Sequence, residues 1–391
     1  MKNNFYNIAQ RNINLGTETA FTVLAKANKL ASEGKSIINL GIGQPDFNTP
    51  SHIVEAAIKA LKDGHHGYTQ STGIPKLREA VSNDLNKRHN VNVSPDNILI
   101  VPGGKVIIFF SAMLLGEKNK EILYPNPGFP IYESAINYSG AKPVPYKLSE
   151  HEGFSFSASD ILSKINKNTS LIIINSPANP TGGIVPKIEL EKLAKGLEKF
   201  PNVLLMSDEI YDQFCFGSNK FTSMLTFPEI RNRLIILNGW SKTYAMTGWR
   251  LGYGIFPKKL YDIAEKLAVN IHSCVNSSAQ YAALEALEGP QECITEMNDS
   301  FKRRAKMMHT KLNEVQGFNC QKPNGAFYCF PNITGTGKSS TYIQNLLLDQ
   351  AGVATVAGTS FGEYGEGFIR LSCASSDKSI KEALIRIKNV I

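Results

Sequence analysis

Short apolar runs alternate with amphipathic segments between residues 50 and about 260. The runs are rich in β-branched residues and are apolar at almost every position, which is typical of strands that are covered on both faces. They are residues 97–101, 121–124, 171–174, 203–206 and 234–237. Helical patterns such as 188–200 separate several of them. This alternation predicts an α/β fold with a mostly parallel sheet sandwiched by helices.

The first helix of this region is indicated by its boundary residues. Thr49 is expected to be its N-cap, Pro50 its first residue and Gly64 its end. Four apolar residues are expected to form its buried face: Val54, Ala57, Ile58 and Leu61.

The pattern changes after Gly254. Long helical stretches and short strand-like pieces then follow, at 258–269, 278–287, 291–315, 326–330, 368–372 and 380–390. We infer a second, smaller α+β domain from this change. The expected division is an N-terminal segment at 1–44 that associates with the small domain, a large domain at 45–284 and a small C-terminal domain at 285–391.

The composition is that of an ordinary folded protein. Of the 391 residues, 42% are hydrophobic and 19% are charged, which argues against intrinsic disorder. The formal charge of +8 suits acidic small molecules, whereas nucleic acid is not an expected partner because the basic residues are scattered. The densest basic run, Lys302-Arg303-Arg304, is interpreted as a solvated helix face.

Membrane, export and metal-binding functions are not indicated. The longest apolar stretch, 106–115, is too short for a bilayer, which needs about 20 residues. The polar first six residues lack the apolar core of a signal peptide. The six cysteines include no CxxC pair, so no metal site is expected, and reduced thiols in a cytoplasmic protein are favoured.

Three of the apolar runs are followed by polar residues of different chemistry. Asn179 comes after 171–174, Asp208 after 203–206 and Lys242 after 234–237. Ligands bind outside the carboxyl ends of the strands in such sheets, so these side chains are expected in one site. They suit pyridoxal phosphate, because its aldehyde bonds an amine and its ring nitrogen needs an acid partner.

Each of these residues has an ordinary alternative when it is taken alone. Lys242 could be a surface lysine in a loop, Asp208 a helix N-cap and Asn179 part of a simple turn. Together they favour Lys242 as the Schiff-base lysine and Asp208 as the partner of the ring nitrogen. Tyr211, three residues after Asp208, and Asn179 could then donate hydrogen bonds to the phenolic oxygen of the ring.

A phosphate site is predicted at Arg250 and at the turn Gly103-Gly104-Lys105. Arginine binds phosphate bidentately, and the turn precedes a helix whose N-terminal N–H groups attract anions. Lys105 opposes the dipole of that helix. It either points to solvent or is compensated by a nearby anion, such as a carboxylate in a substrate side chain.

Two further residues each keep two interpretations. Phe129 either stacks on the cofactor ring or belongs to the core. Arg370 lies in the strand-like run 368–372 and binds a substrate carboxylate or forms a surface salt bridge.

Taken in order, these motifs resemble the class I/II aminotransferases, which are fold type I pyridoxal-phosphate enzymes. The resemblance covers nearly the whole chain. The motifs that carry it are 41–47 (GIGQPDF), Tyr68 with 73–78 (GIPKLR), 103–105 (GGK), 175–182 (NSPANPTG), 207–211 (SDEIY), 241–250 (SKTYAMTGWR) and 370–372 (RLS).

The resemblance implies a homodimer with active sites at the subunit interface, into which Tyr68 reaches from the partner. It also implies that Lys242 bonds the cofactor aldehyde and that Asp208 pairs with the ring nitrogen. Asn179 and Tyr211 would contact the phenolate oxygen, and Gly104, Lys105 and Arg250 would bind the phosphate. The substrate α-carboxylate would be bound by Gly43, Asn179 and Arg370.

Two positions depart from the pattern of many relatives. Gly239 stands where they have a phosphate-binding serine, so Ser241 or the backbone is expected to contribute more to that site. Phe129 stands where they often have tryptophan or tyrosine as the aromatic lid.

The implied activity is a ping-pong transamination between an L-amino acid and a 2-oxo acid. Aspartate with 2-oxoglutarate is favoured, because bacterial aspartate aminotransferases that resemble this chain have a lysine at the position of Lys105. Aromatic and other amino acids stay open as substrates. Carbon–sulfur β-lyase or decarboxylating synthase chemistry on the same fold is the alternative reaction class. A transcription regulator would carry an added DNA-binding domain, which is not expected here.

Overall fold

The five apolar runs lie in one sheet of the computed structural model, which describes residues 8–217 and 220–391. In chain order the strands of the described residues are β1 (Ile38–Asn39), β2 (Ile98–Val101), β3 (Glu121–Asn126), β4 (Lys142–Lys147), β5 (Thr169–Asn175), β6 (Leu204–Asp208), β7 (Leu234–Asn238), β8 (Gly252–Ile255), β9 (Tyr328–Cys329), β10 (Val353–Ala354), β11 (Val356–Ala357) and β12 (Ile369–Ser372).

The large sheet has seven strands among the described residues, in the order β2-β8-β7-β6-β5-β3-β4. Within it, β8 runs antiparallel to both of its neighbours, and the other adjacent strands are parallel. The mostly parallel α/β sheet that the alternation predicts is therefore confirmed.

Helices cover both faces of this sheet. In chain order the described α-helices are α1 (Thr19–Ser32), α2 (Ser51–Lys62), α3 (Pro75–His89), α4 (Lys105–Leu115), α5 (Ile131–Ser139), α6 (Ala158–Lys164), α7 (Lys187–Leu197), α8 (Trp240–Thr243), α9 (Lys258–His272), α10 (Ser277–Glu288), α11 (Glu292–Leu312), α12 (Ser340–Leu346) and α13 (Asp377–Val390). Strand β2 illustrates the two-sided burial, because Ile98 and Ile100 face one hydrophobic core and Leu99 and Val101 face the other. A strand buried on both sides has to be apolar at every position, which explains the near-continuous runs.

Strand β4 was not among the predicted strands. It contains Pro143 and Pro145, which cannot donate ladder hydrogen bonds, and it lies at the end of the sheet beside β3. An edge position tolerates proline, because one side of the strand needs no partner.

The boundary predicted for α2 is wrong by one residue and its buried face is partly wrong. Pro50 is the N-cap, and the Thr49 hydroxyl instead donates to the Ala245 carbonyl at 2.8 Å. Ile58 and Leu61 are 46% and 50% exposed. The buried residues are Ile53, Ala57 and Ala60, and Ile53 and Ala57 share a core with the alanines of α10. Small residues at this contact let the two helices approach closely.

The C-terminal part of the chain forms a three-stranded sheet in the order β11-β12-β9. Helices α11 and α13 contribute to a separate core against it. Helix α1, which the sequence did not reveal, packs Val23 and Ala27 against Leu348 and Ala354 of the same region.

The interpretation of Lys302-Arg303-Arg304 as a solvated face is wrong for its last residue. Arg304 is buried and donates from Nη1 and Nη2 to the carboxylate of Asp46, at 2.7 and 3.1 Å. This pair joins α11 to the segment 41–47. Burial of the guanidinium is tolerated because the bidentate contact compensates its charge.

None of the helices in the described residues combines the length and hydropathy that crossing a bilayer would need. Likewise, no cluster of three or more metal-ligating side chains occurs in the described part of the chain.

Candidate active site

A cavity of about 550 Å³ opens at the carboxyl ends of β5, β6 and β7. Eleven of the residues predicted for the site line it: Gly43, Gly104, Lys105, Phe129, Asn179, Asp208, Tyr211, Ser241, Lys242, Arg250 and Arg370. The remaining one, Tyr68, lies outside this cavity and is 92% exposed. Residues that are distant in sequence thus converge because parallel strands end at the same edge.

Lys242 lies on α8, the short helix that follows β7. Its Nζ donates a hydrogen bond to the Gly43 carbonyl at 2.6 Å. Burial lowers the pKa of this amine to about 8. The carboxylate of Glu18 raises the pKa and so opposes the shift, whereas the positive charges of Arg370, Arg250 and Lys105 add to it. The cavity therefore holds an amine that loses its proton far more easily than an exposed lysine does.

Asp208 ends β6 and is buried beneath the cavity. Its Oδ2 accepts a hydrogen bond from the Tyr132 hydroxyl at 2.7 Å, and its Oδ1 accepts from the Ile210 N–H at 3.2 Å. Burial raises the pKa of Asp208 to about 6, although these two donors lower it. Both donors are neutral, so a cation beside this carboxylate would stabilise its charged form.

Tyr211 and Tyr328 form a second pair at the cavity, with their hydroxyl oxygens 2.8 Å apart. Burial raises the pKa of the Tyr211 phenol, which keeps it protonated and able to donate. Tyr328 also limits the space at Gly43, because a Cβ there would lie 1.9 Å from the Tyr328 hydroxyl.

Arg370 lies on β12 and is buried, so the surface salt bridge that its sequence also allowed is excluded. Nη1 donates to Asn179 Oδ1 at 2.8 Å, and Nη2 donates to the Gly41 carbonyl at 2.5 Å. The guanidinium lies between the rings of Tyr328 and Phe361, 4.6 and 4.7 Å from their centroids. A planar cation held in this way is suited to a carboxylate.

In another part of the cavity lining, Arg250 meets the turn before α4. Arg250 has a left-handed backbone (φ 55°), and its Nη1 donates to the Thr247 carbonyl at 2.9 Å. Gly103 is also left-handed (φ 94°), and a Cβ on it would lie 2.1 Å from Arg250 Nη2. Glycine at this position therefore lets the guanidinium reach the N-terminus of α4, where anions bind.

The structure shows that Gly239 lies where backbone segments crowd together. A Cβ on Gly239 would lie 2.7 Å from the Gly252 Cα, and a Cβ on Gly252 would lie 2.4 Å from the Gly104 N. Three backbone segments therefore pass each other too closely for side chains. The buried hydroxyl of Ser241 lines the cavity instead.

Lys105 is paired, and its partner is part of the protein. Its Nζ forms an ion pair with Glu18 Oε1, and Nζ lies 5.6 Å from the centroid of the Phe129 ring. Of the two alternatives for Lys105, compensation by a nearby anion is correct in this structure, but the anion is Glu18. Phe129 packs against the core and also lines the cavity, so the core interpretation is correct and stacking on the cofactor ring stays a prediction.

The cavity residues that the sequence analysis did not single out include four polar ones whose side chains form hydrogen bonds or ion pairs: Glu18, Tyr132, Asn175 and Tyr328. Asn175 could have been found, because it is the polar residue that ends the apolar run 171–174. Its Nδ2 donates to the Asp208 carbonyl at 3.0 Å, and its Oδ1 accepts from the Asn179 N–H at 2.9 Å. The other three carry no local signal of a site.

The cavity meets the requirements of pyridoxal phosphate. The aldehyde needs an amine of low pKa, the ring nitrogen an acid and the phosphate an anion site. Lys242, Asp208 and the Arg250 end of the cavity match these three needs in turn. The buried Asp208, which has neutral donors and a raised pKa, is the observation that fits a cationic ring nitrogen best.

Comparison with known proteins agrees with this assignment. Residues 35–387 match the family described as aminotransferase class I and II. The chain is 36% identical over 390 residues to a probable aspartate/prephenate aminotransferase of Aquifex aeolicus, with 98% of each chain covered. It is 38% identical over 364 residues to an aspartate aminotransferase of Pyrococcus horikoshii, with 92% of each covered.

Among solved structures, the aspartate aminotransferase of Thermus thermophilus with maleate superposes with a TM-score of 0.93. The two sequences are 30% identical, and the match covers 99% of this chain and 100% of the other. Since both the sequence match and the fold extend over nearly the whole chain, the protein belongs to the class I and II aminotransferases, which use pyridoxal phosphate.

Proposed function

We propose that this aminotransferase moves an amino group between L-aspartate and 2-oxoglutarate by a ping-pong mechanism. The observation that carries the proposal is the convergence of the Lys242 amine, the Asp208 carboxylate and the Arg370 guanidinium on one cavity. Names of the relatives support aspartate as the donor, and Lys105 supports an acidic side chain.

Substrate binding is assigned to the Arg370 end of the cavity. The α-carboxylate would replace the contact that Arg370 Nη1 now makes with Asn179 Oδ1, or bind beside it. Among the described residues, Arg370 Nε has no hydrogen-bond partner and is buried, which favours an added acceptor. Gly43 is assigned to the same α-carboxylate through its backbone, since the Tyr328 hydroxyl fills the space where a side chain would lie.

Proton transfer is assigned to Lys242. With a pKa of about 8, roughly a tenth of Nζ is unprotonated at pH 7, far more than in an exposed lysine, and this form can take the proton from the substrate α-carbon. The same Nζ can return a proton in the second half of the reaction. When bound, pyridoxal phosphate supplies an electron sink for the negative charge that develops at that carbon.

The remaining roles hold the cofactor in place. Asp208, kept in position by Tyr132, would pair with the ring nitrogen, and Asn179 and Tyr211 would contact the phenolic oxygen. Phosphate is assigned to Arg250, Ser241 and the start of α4 at Gly104-Lys105, with Phe129 covering the ring.

A homodimer with shared sites is part of the proposal. Tyr68 is 92% exposed and Leu61, near it in sequence, is 50% exposed, as expected of residues that a partner subunit covers. A cytoplasmic location and the domain limits 1–44, 45–284 and 285–391 are kept as proposals as well.

Lys242→Ala tests the central assignment. The variant should lose turnover and the absorbance that borohydride removes from the cofactor-loaded enzyme, whereas full retained activity would reject the role of Lys242. A panel of amino donors with 2-oxoglutarate then tests the substrate. Release of pyruvate from cystathionine without a keto acid would instead indicate β-lyase chemistry.

A further inference from the structure

The ion pair between Glu18 and Lys105 has a consequence for substrate choice. Lys105 is the first residue of α4, where its charge opposes the helix dipole, so a compensating anion is favourable. Glu18 supplies that anion from the N-cap position of α1, and both residues line the cavity. The distal carboxylate of a dicarboxylic substrate would need the same ammonium group.

We infer that Glu18 is a specificity-determining residue that competes with the distal carboxylate of a dicarboxylic substrate for Lys105. With the pair closed, the net charge of the two side chains is zero, and a neutral substrate side chain meets no unpaired cation. With a dicarboxylate bound, Lys105 exchanges Glu18 for the substrate. This inference rests on the proposed function, because it assigns the distal carboxylate to Lys105.

Exposure of the two side chains allows this exchange. The Lys105 side chain is 40% exposed and that of Glu18 is 17% exposed, so water reaches both groups. Neither group therefore carries the large desolvation penalty of a buried charge without a partner. Ion pairs that water reaches contribute little to stability. A substrate carboxylate can therefore displace Glu18 at a modest loss of affinity.

Glu18 also acts on the reacting amine. Its negative charge raises the pKa of Lys242, in opposition to burial. Loss of the carboxylate should therefore lower the pKa of Lys242 below its present value of about 8. This gives the inference a readout that does not depend on turnover.

The test uses two matched ligands of the cofactor-loaded enzyme: maleate and isocrotonate, in which a methyl group replaces one carboxylate. In Glu18→Gln, maleate should bind roughly two- to fivefold more tightly relative to isocrotonate than it does in the unchanged protein. This factor corresponds to the free energy of such an ion pair. In the cofactor-free protein, the pKa of the Lys242 amine should fall in the same variant. Glu33→Gln is the matched control, because it removes the same charge from the exposed C-terminal end of α1.

The gain should depend on Lys105, so Glu18→Gln/Lys105→Met should bind maleate no more tightly than the unchanged protein. Unchanged or weaker maleate binding in Glu18→Gln, or a gain that survives without Lys105, would overturn the inference. If the unchanged protein accepts only neutral amino donors while Glu18→Gln still gains maleate affinity through Lys105, the aspartate proposal fails and the competition stands.

Discussion

At the scale of single residues, burial changes the protonation of two cavity groups in opposite directions. It lowers the pKa of the Lys242 amine to about 8 and raises that of the Asp208 carboxyl to about 6. Both shifts disfavour the charged form, because the cavity is poorly solvated at these two positions. They leave a base that is available for proton transfer and a carboxylate that gains from a cationic partner.

Tyr132 is expected to keep Asp208 ionised. Its hydroxyl donates to Oδ2 and lowers the pKa of that carboxyl, so Tyr132→Phe should raise the pKa above about 6. Loss of a hydrogen bond to a charged group corresponds to about 1.5–3 kcal/mol, so we expect cofactor affinity to fall about tenfold or more. Carboxyl-labelled NMR titration of the cofactor-free protein measures the pKa.

Tyr146→Phe is the control for this variant, since Tyr146 is also buried but its hydroxyl donates to the Ile173 carbonyl. If both variants leave the titration of Asp208 unchanged, Tyr132 has no part in setting its charge.

Lys242 should make the stability of the cofactor-free protein depend on pH. In the folded state its pKa is lowered to about 8, whereas an unfolded lysine keeps its proton up to about 10.5. Between these values the unfolded state binds more protons, so this residue's contribution to the free energy of unfolding rises with pH. In Lys242→Met the rise should disappear.

Urea unfolding between pH 7.5 and about 9.5 measures this contribution. Replacing the exposed Lys195 by methionine is the control and should preserve the slope. Equal slopes in the protein with Lys242 and in Lys242→Met would show that the amine keeps an ordinary pKa.

At the scale of elements, close backbone packing positions the short helix α8 that carries Lys242. Gly239 links β7 to this helix and lies against Gly252, the first residue of β8. The same junction brings the turn before α4 close to β8 through Gly104. The glycines are therefore needed for the close approach of three segments beside Arg250, where the phosphate is proposed to bind.

This packing predicts the result of restoring the serine that many relatives have. Gly239→Ser should destabilise the protein by about 1–3 kcal/mol and weaken cofactor binding, because its Cβ would meet the Gly252 Cα at 2.7 Å. Thermal unfolding and cofactor titration measure the two effects. Gly248→Ser is a nearby control for the stability effect, since a Cβ there would have no heavy atom within 4 Å. Tighter cofactor binding in Gly239→Ser would contradict this account.

At the scale of the whole molecule, the cavity lies where the large sheet meets the C-terminal elements. Lys242 and Asp208 come from the ends of the large sheet, whereas Tyr328 and Arg370 come from β9 and β12. The Arg304–Asp46 pair joins α11 to the segment that carries Gly43. Movement of one part against the other would therefore change the shape of the cavity.

The proposed sharing of active sites between subunits predicts complementation between two defective subunits. Tyr68→Ala should lower cofactor affinity and Lys242→Ala should abolish turnover, but a mixed dimer would contain one site with both residues intact. Random pairing of the two coexpressed chains should restore roughly a quarter of the full activity at limiting cofactor. Activity no greater than the sum of the separate variants would reject a contribution of Tyr68 across the interface.

The sequence by itself determined the class of fold and the chemical types gathered in the site. Apolar runs indicate buried strands, and residues that follow such runs meet at one edge of a parallel sheet. Asn179, Asp208 and Lys242 could therefore be grouped from local patterns. Strand β4 was not predicted because it contains prolines, which argue against a strand in the middle of a sheet. The sequence alone does not show that this strand lies at the edge, where proline is tolerated.

The tertiary structure alone decided which groups are paired and which are protonated. Glu18 meets Lys105 across 87 residues, Tyr132 meets Asp208 across 76, and Tyr211 meets Tyr328 across 117. Such contacts leave no periodic trace in the sequence. Desolvation and charge pairing depend on every neighbour in space, so the pKa values of Lys242 and Asp208 follow from the packed cavity and not from the local motif.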